Sequence, residues 1–306
     1  MQYLFKRHAF NQWLRLYAVF FVGILLFANT AKSKESTPLQ NIKLMRTIDV
    51  SMGLEYLGFY AGGTHIGGLI SSINLKNTNI IAKNYILEFW FKIGVGPQKI
   101  NGNYFIGSSA PLSNLTSFRG AGAILEEIAG KFGYNVTRNT DKPLFASFGF
   151  EYSIYTHTSI YSPYNTSINY NNILISLDGA TRLGGSRWSV DYGLFGSYSP
   201  TLITFFGHDV ESSKRYFLNK NIKTQSVFAH GFGIKANVGF SYVISKKVSF
   251  FTRFIAKYQY TVPSTSTTIT TVSNPSLNEV IPSTSAQVAY PHAQAIYAGV
   301  RFGFGF

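Results

Sequence analysis

Residues Gly231–Ile244 read GFGIKANVGFSYVI, and the two parities of this stretch differ in kind. Phe232, Ile234, Ala236, Val238, Phe240, Tyr242 and Ile244 share one parity; Gly233, Lys235, Asn237, Gly239 and Ser241 share the other. Successive side chains of a strand point to opposite faces, so the stretch reads as a strand with one apolar face and one small or polar face. Ser245, Lys246 and Lys247 make a tight turn. Val248, Phe250, Thr252, Phe254, Ala256, Tyr258 and Tyr260 then continue an apolar face against Arg253, Lys257 and Gln259.

The same alternation recurs along the chain. In LFASFGFEYSIY, Leu144, Ala146, Phe148, Phe150, Tyr152 and Ile154 oppose Ser147, Gly149, Glu151 and Ser153. Ile173, Ile175 and Leu177 oppose Ser176, Asp178 and Arg182; a short GGSR turn leads into Trp188, Val190, Tyr192 and Leu194 against Ser189, Asp191 and Gly193. Tyr85, Leu87, Phe89, Phe91, Ile93 and Val95 oppose Glu88 and Lys92. Leu54–Leu69 is Gly-rich and ambiguous in phase, and reads as the first strand. Strands are therefore expected near 54–69, 83–96, 144–156, 172–183, 187–198, 227–244, 248–260 and 292–306.

Alternation alone does not say whether the apolar face meets a protein core or lipid. Composition fits strands that are apolar on one face, and connection lengths and strand ends bear on the choice. The 306-residue chain is 16% aromatic and only 13% charged, with 28 Gly and no Cys, against about 25% charged residues in an ordinary soluble domain. A mean hydropathy of +0.06 is too low for a bundle of membrane helices. Irregular or open-edged chain cannot span a bilayer, so spanning by strands requires a closed barrel. Without Cys, disulfides contribute nothing to stability.

The first 33 residues read as a secretion address. Lys6, Arg7 and Arg15 precede the apolar run Leu16–Ala28, and small or polar residues follow. That run is shorter than the roughly 17–25 residues of a membrane helix and suits a signal h-region. Cleavage is expected between 28 and 33, with an uncleaved anchor as the alternative. Loss of Lys6, Arg7, Arg15 and Lys32 lowers the formal charge from +14 to +10. The remaining cations are scattered rather than clustered, which argues against nucleic acid and for anionic lipopolysaccharide or host glycans. Residues 34–306 then form one barrel, with surface loops near 157–171, 199–226 and 261–291.

Connection lengths agree with that architecture. GGSR and SKK are short, whereas 199–226 and 261–291 are long and polar, as in outer-membrane barrels, whose short turns are periplasmic. The Ser/Thr/Pro-rich 261–291 segment carries a single charge, Glu279, and reads as a solvated loop. Residues 97–143 fit less well. Ile124, Leu125, Ile128, Ala129 and Phe132 in GAILEEIAGKFGYN have helical spacing, which predicts a short helix over 121–134 and eight strands; an extra strand pair, giving ten, is the alternative.

The last strand, AIYAGVRFGFGF, ends on Phe306. Its alternating apolar residues with a terminal Phe resemble the C-terminal signal of bacterial outer-membrane β-barrel proteins. The resemblance implies that Val300, Phe302, Phe304 and Phe306 are read by the barrel-assembly machinery. Together with the signal peptide and the amphipathic strands it covers nearly the whole chain. The basic, Tyr/Phe/Asn-rich style is similar to Helicobacter-type outer-membrane proteins. The fold class implied is an all-β, closed antiparallel transmembrane barrel, monomeric in outer-membrane lipid. In so narrow a barrel Glu151, Asp178, Arg182, Asp191, Arg253, Lys257 and Arg301 are expected to face the lumen as an ionic network rather than a pore.

One catalytic pattern competes. In YTHTSIYS, His157 and Ser159 lie two apart on one strand face, and Asn171 follows twelve residues after the Ser. The spacing resembles outer-membrane phospholipase A; the lipid A deacylases are similar, with Glu as third member. The resemblance implies Ser159 as nucleophile, His157 as base and Asn171 as its orienter. The family motif continues Asn-Gly where this chain has Ile160 and Tyr161; His157 and Ser159 carry the lumen-facing parity of Glu151, whereas Asn171 carries the outward parity of Ile173. The loop-tip reading is preferred, so no enzyme is expected. His65, His157, His208, His230 and His292 lack metal-ligand spacing, and GAGAILEE lacks the context of a phosphate loop. No cofactor is expected. Action through surface loops, in adhesion, envelope structure or antigenic display, is the leading reading, with a small pore as a third.

Overall fold

The computed structural model describes residues 47–62, 64–82, 84–101, 117–159, 164–184, 186–207, 225–270 and 285–306. The proposed signal peptide lies outside them. Ten antiparallel strands close into a barrel: β1 (Ile48–Ala61), β2 (Thr64–Ile81), β3 (Tyr85–Asn101), β4 (Ser117–Asn135), β5 (Leu144–Ser159), β6 (Tyr164–Arg182), β7 (Trp188–Gly207), β8 (Gln225–Val243), β9 (Ser249–Thr261) and β12 (Ala293–Gly305). Each pairs with its sequence neighbour, and β12 pairs with both β9 and β1. A separate two-stranded ribbon, β10 (Ser266–Thr270) and β11 (Ser285–Ala289), rises between β9 and β12.

The strand register fixes the barrel's shape. Partners followed from Ile48 through Asn77, Phe89, Gly130, Phe150, Ile173, Tyr198, Phe232, Tyr260 and Gln294 return to β1 at Tyr60, twelve residues on. With ~3.3 Å per residue and ~4.8 Å between strands, this shear around ten strands tilts them by about 40°.

Side-chain burial runs opposite to that of a soluble protein. On β3, Glu88 and Lys92 are 4% and 3% exposed, whereas Phe89 and Phe91 are 52% and 45% exposed. The halves of the other strands toward the end that holds Thr47 and Phe306 repeat this, with Ser, Asn, Asp, Glu and Lys inward and Ile, Leu, Phe and Tyr outward. Water on the outside and charge on the inside would be a costly arrangement in solution. Lipid outside makes it the stable one. Exposed Tyr and Trp rings cluster toward two levels, a tier with Tyr85 and Trp188 near that end and a tier with Tyr56, Tyr152, Tyr198 and Tyr258 toward the other, while exposed Phe rings such as Phe89, Phe148, Phe150 and Phe254 fill the band between. Along the tilted β7, Trp188 and Tyr198 are about 25 Å apart in height, the thickness of a barrel's apolar band.

Connections sort by end. Residues 82–84, 136–143, 183–187 and 244–248 link strands at the end that holds Thr47 and Phe306, called the near end here. Residues 62–63, 102–116, 160–163, 208–224 and 262–292 link them at the far end. The short-turn end is the periplasmic one in outer-membrane barrels.

Three expectations need correction. The stretch 54–69 is not one strand: Gly62, at φ +54°, turns the chain in a conformation that Gly adopts without steric cost, and β1 and β2 meet across it. Residues 121–134 are not a helix but part of β4, with Ile124, Ile128 and Phe132 outward and Leu125, Glu127, Ala129 and Lys131 inward. The barrel thus has ten strands rather than eight. Residues 164–171 and 199–207, assigned to loops, extend β6 and β7, while 261–291 contains the β10–β11 ribbon and buries Tyr290.

Candidate functional site: a lumen filled in two storeys

Inward residues divide the lumen by height. In the storey toward the near end they are charged. Glu88 accepts hydrogen bonds from Lys76 Nζ at 3.0 Å and Thr78 Oγ1 at 2.9 Å, and pairs with Lys131 at 2.9 Å. Lys131 also pairs with Asp178, which accepts from Ser176 Oγ at 2.7 Å. Arg253 donates from Nε and Nη2 to Asp191 Oδ2 at 2.9 and 2.8 Å, and lies 3.7 Å from Asp49. Higher up, Glu55 pairs with Lys92 and with Arg301 Nε at 2.8 Å. Glu151 accepts from Lys257 Nζ at 2.7 Å and Asn172 Nδ2 at 2.9 Å; Glu127 accepts from Trp90 Nε1 at 2.6 Å. Lys235 sits 3.6 Å from both Glu127 and Glu151, and over the rings of Trp90 and Phe195.

The set is balanced. Among the described residues, the ion-paired acids are Asp49, Glu55, Glu88, Glu127, Glu151, Asp178 and Asp191, and the bases Lys76, Lys92, Lys131, Lys235, Arg253, Lys257 and Arg301. Seven charges of each sign occupy one enclosed volume. Such pairs contribute little net stability over apolar packing, but removing one partner strands a buried charge at about 3–5 kcal/mol. Small inward residues make room for the long side chains. A Cβ on Gly239 would stand 2.5 Å from Asp191 Oδ1. Among the described residues, the ion-paired set lines a cavity of about 100 Å³, with Asp49, Lys76, Glu88, Asp191, Asn237 and Arg253 among its walls.

The storey toward the far end is built around an apolar cluster, with Gln98, Ser199, Thr201, Gln259 and Thr261 buried among it. Leu57, Phe59, Ile70, Leu125, Tyr155, Ile168, Ile203 and Val227 point inward from seven strands and form one buried cluster with Tyr170, Tyr290 and Tyr297. The rings of Tyr155 and Tyr290 lie 5.8 and 6.4 Å from that of Phe59. This is a packed core inside the wall, each fully buried large side chain contributing roughly 1.5–3 kcal/mol.

Of the lumen residues singled out from sequence, Glu151 and Lys257 meet directly, as do Asp191 and Arg253, while Asp178 meets Lys131 and Arg301 meets Glu55. Arg182 ends β6 at the near rim, opposite Ser189. Asp49, Glu55, Lys76, Glu88, Lys92, Glu127, Lys131 and Lys235 complete the set and were not singled out. The parity of Glu88, Lys92 and Lys235 gives them away; Glu55 lies in a segment of ambiguous phase, Glu127 and Lys131 in the expected helix, and Asp49 and Lys76 outside the expected strands.

The His157, Ser159 and Asn171 pattern is not assembled by the register. His157 stands opposite Ala123 and Thr166, whereas Asn171 is opposite Tyr152, five positions and about 16 Å further along β6. The Asn171 amide donates instead to the Pro200 carbonyl at 3.1 Å. The side chains of His157 and Ser159 lie outside the described set. At the other end of the chain, Phe304 packs edge-on against Phe250 at 5.7 Å, and Phe306 exchanges backbone hydrogen bonds with Ile48.

No protein-family model matches the sequence, and no curated protein matches it. Solved structures do match in fold. The outer-membrane protease OmpT of Escherichia coli aligns at a TM-score of 0.52 and 9% identity, over 84% of this chain and 95% of that one. The translocator domain of the autotransporter NalP from Neisseria meningitidis aligns at 0.38 and 10%, over 94% and 95%. The outer-membrane protein OprG of Pseudomonas aeruginosa aligns at 0.36 and 12%, over 86% and 97%. At its TM-score and identity, the likeness to OmpT is one of fold alone. The fold is that of the bacterial outer-membrane β-barrels.

Proposed function

We propose that this chain, exported through residues 1–33, is an integral outer-membrane barrel that works through its far-end connections, as an adhesive, structural or antigenic surface protein. It does so as a monomer, inserted by the barrel-assembly machinery and surrounded by lipid and lipopolysaccharide. Kinship with the Helicobacter-type proteins belongs to the same proposal. One observation carries it: the interior is filled twice over, by a neutral ionic set and by the Phe59–Tyr155 core. Solute has little space to pass, and work falls to the segments that join strands beyond the far ring tier. Neither catalysis nor conduction is part of this reading.

The test uses refolded protein in planar bilayers and on intact cells. Silent insertion, together with protease cleavage in 208–224 or 271–284 on whole cells and loss of surface binding on their deletion, is the expected result. Stepwise conductance, or surface binding unchanged by both deletions, overturns the proposal.

A further inference from the structure

The near rim carries a second pattern that the lumen does not explain. Among the described residues of the near-end turns, Arg138, Lys142, Arg187, Lys246 and Lys247 are exposed, and Asp141 is the single exposed acid. Each of these three turns joins cations to rings of the near tier. Arg138 Nε donates to Tyr134 Oη at 3.0 Å, and Tyr134 packs on Tyr85 at 5.4 Å. Arg187 precedes Trp188, whose ring lies 5.0 Å from that of Tyr242, and Lys246 and Lys247 follow Tyr242 in the next turn.

The three turns form one arc. The Arg187 carbonyl accepts from Val243 N at 2.9 Å, tying the 183–187 turn to β8; the Pro143 carbonyl accepts from Ala180 N at 3.3 Å, tying the 136–143 turn to β6. Cations therefore line the rim from β4 to β9, immediately outside a belt of Tyr and Trp. Amphipathic rings sit at the level of lipid headgroups, and cations one turn beyond them stand at headgroup phosphates. Their stems can lie along the apolar boundary while the charge stays in water.

We propose that this collar is a binding surface for the anionic headgroups of the phospholipid leaflet, with phosphatidylglycerol as the ligand class. It rests on the reading of the near end as periplasmic, where the adjacent leaflet is phospholipid. Attraction of juxtamembrane cations to anionic headgroups is appreciable per residue and falls off within a Debye length, so five on one arc give a salt-sensitive preference.

The full chain is refolded into nanodiscs of phosphatidylcholine mixed equally with phosphatidylglycerol, and retained lipids are counted by native mass spectrometry. About threefold or greater enrichment of phosphatidylglycerol is expected. It should approach parity in R138Q/K142Q/R187Q/K246Q/K247Q and fall partway in K246Q/K247Q, which alters one exposed turn only. Heat-modifiable gel mobility scores folding separately. Wild-type protein that folds and retains both lipids equally overturns the collar alone, as does enrichment unchanged in both variants. A chain that never folds in bilayers of either lipid overturns the barrel reading on which the collar rests.

Discussion

Arg301 on the last strand donates from Nε to Glu55 Oε1 on the first at 2.8 Å, across 246 positions of sequence. The pair straddles the seam where β12 closes on β1, beside Lys92, so the carboxylate holds two cations in place. Glu55→Gln strands both and is expected to lower unfolding free energy by about 3–5 kcal/mol. Adding Arg301→Met should recover part of the loss, because only Lys92 then lacks its partner. Urea unfolding in vesicles measures both, and a neutral single variant contradicts the pairing.

Two equally bare apolar residues separate the membrane band from what stands above it. Ile175 is 65% exposed between the ring tiers, and Phe228 is 67% exposed four residues beyond Phe232 toward the far end. Ile175→Arg is expected to cost about 2–4 kcal/mol in a bilayer, and Phe228→Arg about 0–1. Equal costs would place the lipid elsewhere.

Phe306 lies at the near rim, where a charge on the lipid face costs no more than about 1 kcal/mol. Phe306→Asp should therefore leave the unfolding midpoint of refolded protein nearly unchanged while reducing the amount that reaches the outer membrane in cells. Unchanged levels in fractionated cells would remove the assembly role of the terminal Phe.

With Asn171 committed to the Pro200 carbonyl, refolded protein should show no ester hydrolysis that Ser159→Ala abolishes. Activity against phospholipid micelles that disappears in that variant would restore the catalytic reading.

Legibility in the sequence followed the chemistry of the lumen. Where inward residues are polar, as with Lys235 and Asn237 on β8 or Arg253 and Lys257 on β9, alternation marks the strand and its faces. Where the far storey is apolar the contrast vanishes. Leu57 and Phe59 point inward beside outward Tyr56 and Tyr60, so β1 and β2 merged into one ambiguous segment. Leu125 and Ala129 point inward beside outward Ile124 and Ile128, and adjacent apolar pairs three or four apart imitate a helix. The parity of Glu151 and Lys257 was readable, but not their contact, because only the closed register brings β5 and β9 face to face across the lumen.

The ion-paired set is also unevenly shared along the chain. Among the described residues, the seven acids of the ion pairs given above lie on β1–β7 together with Lys76, Lys92 and Lys131, whereas β8, β9 and β12 bring the cations Lys235, Arg253, Lys257 and Arg301 of those pairs. A sheet lacking its final strands holds surplus negative charge on the face that will become the lumen. Arg301 on β12 is the last of these cations to arrive. The cations of these pairs thus arrive with closure, which gives the unfinished barrel a standing attraction for the strand that completes it.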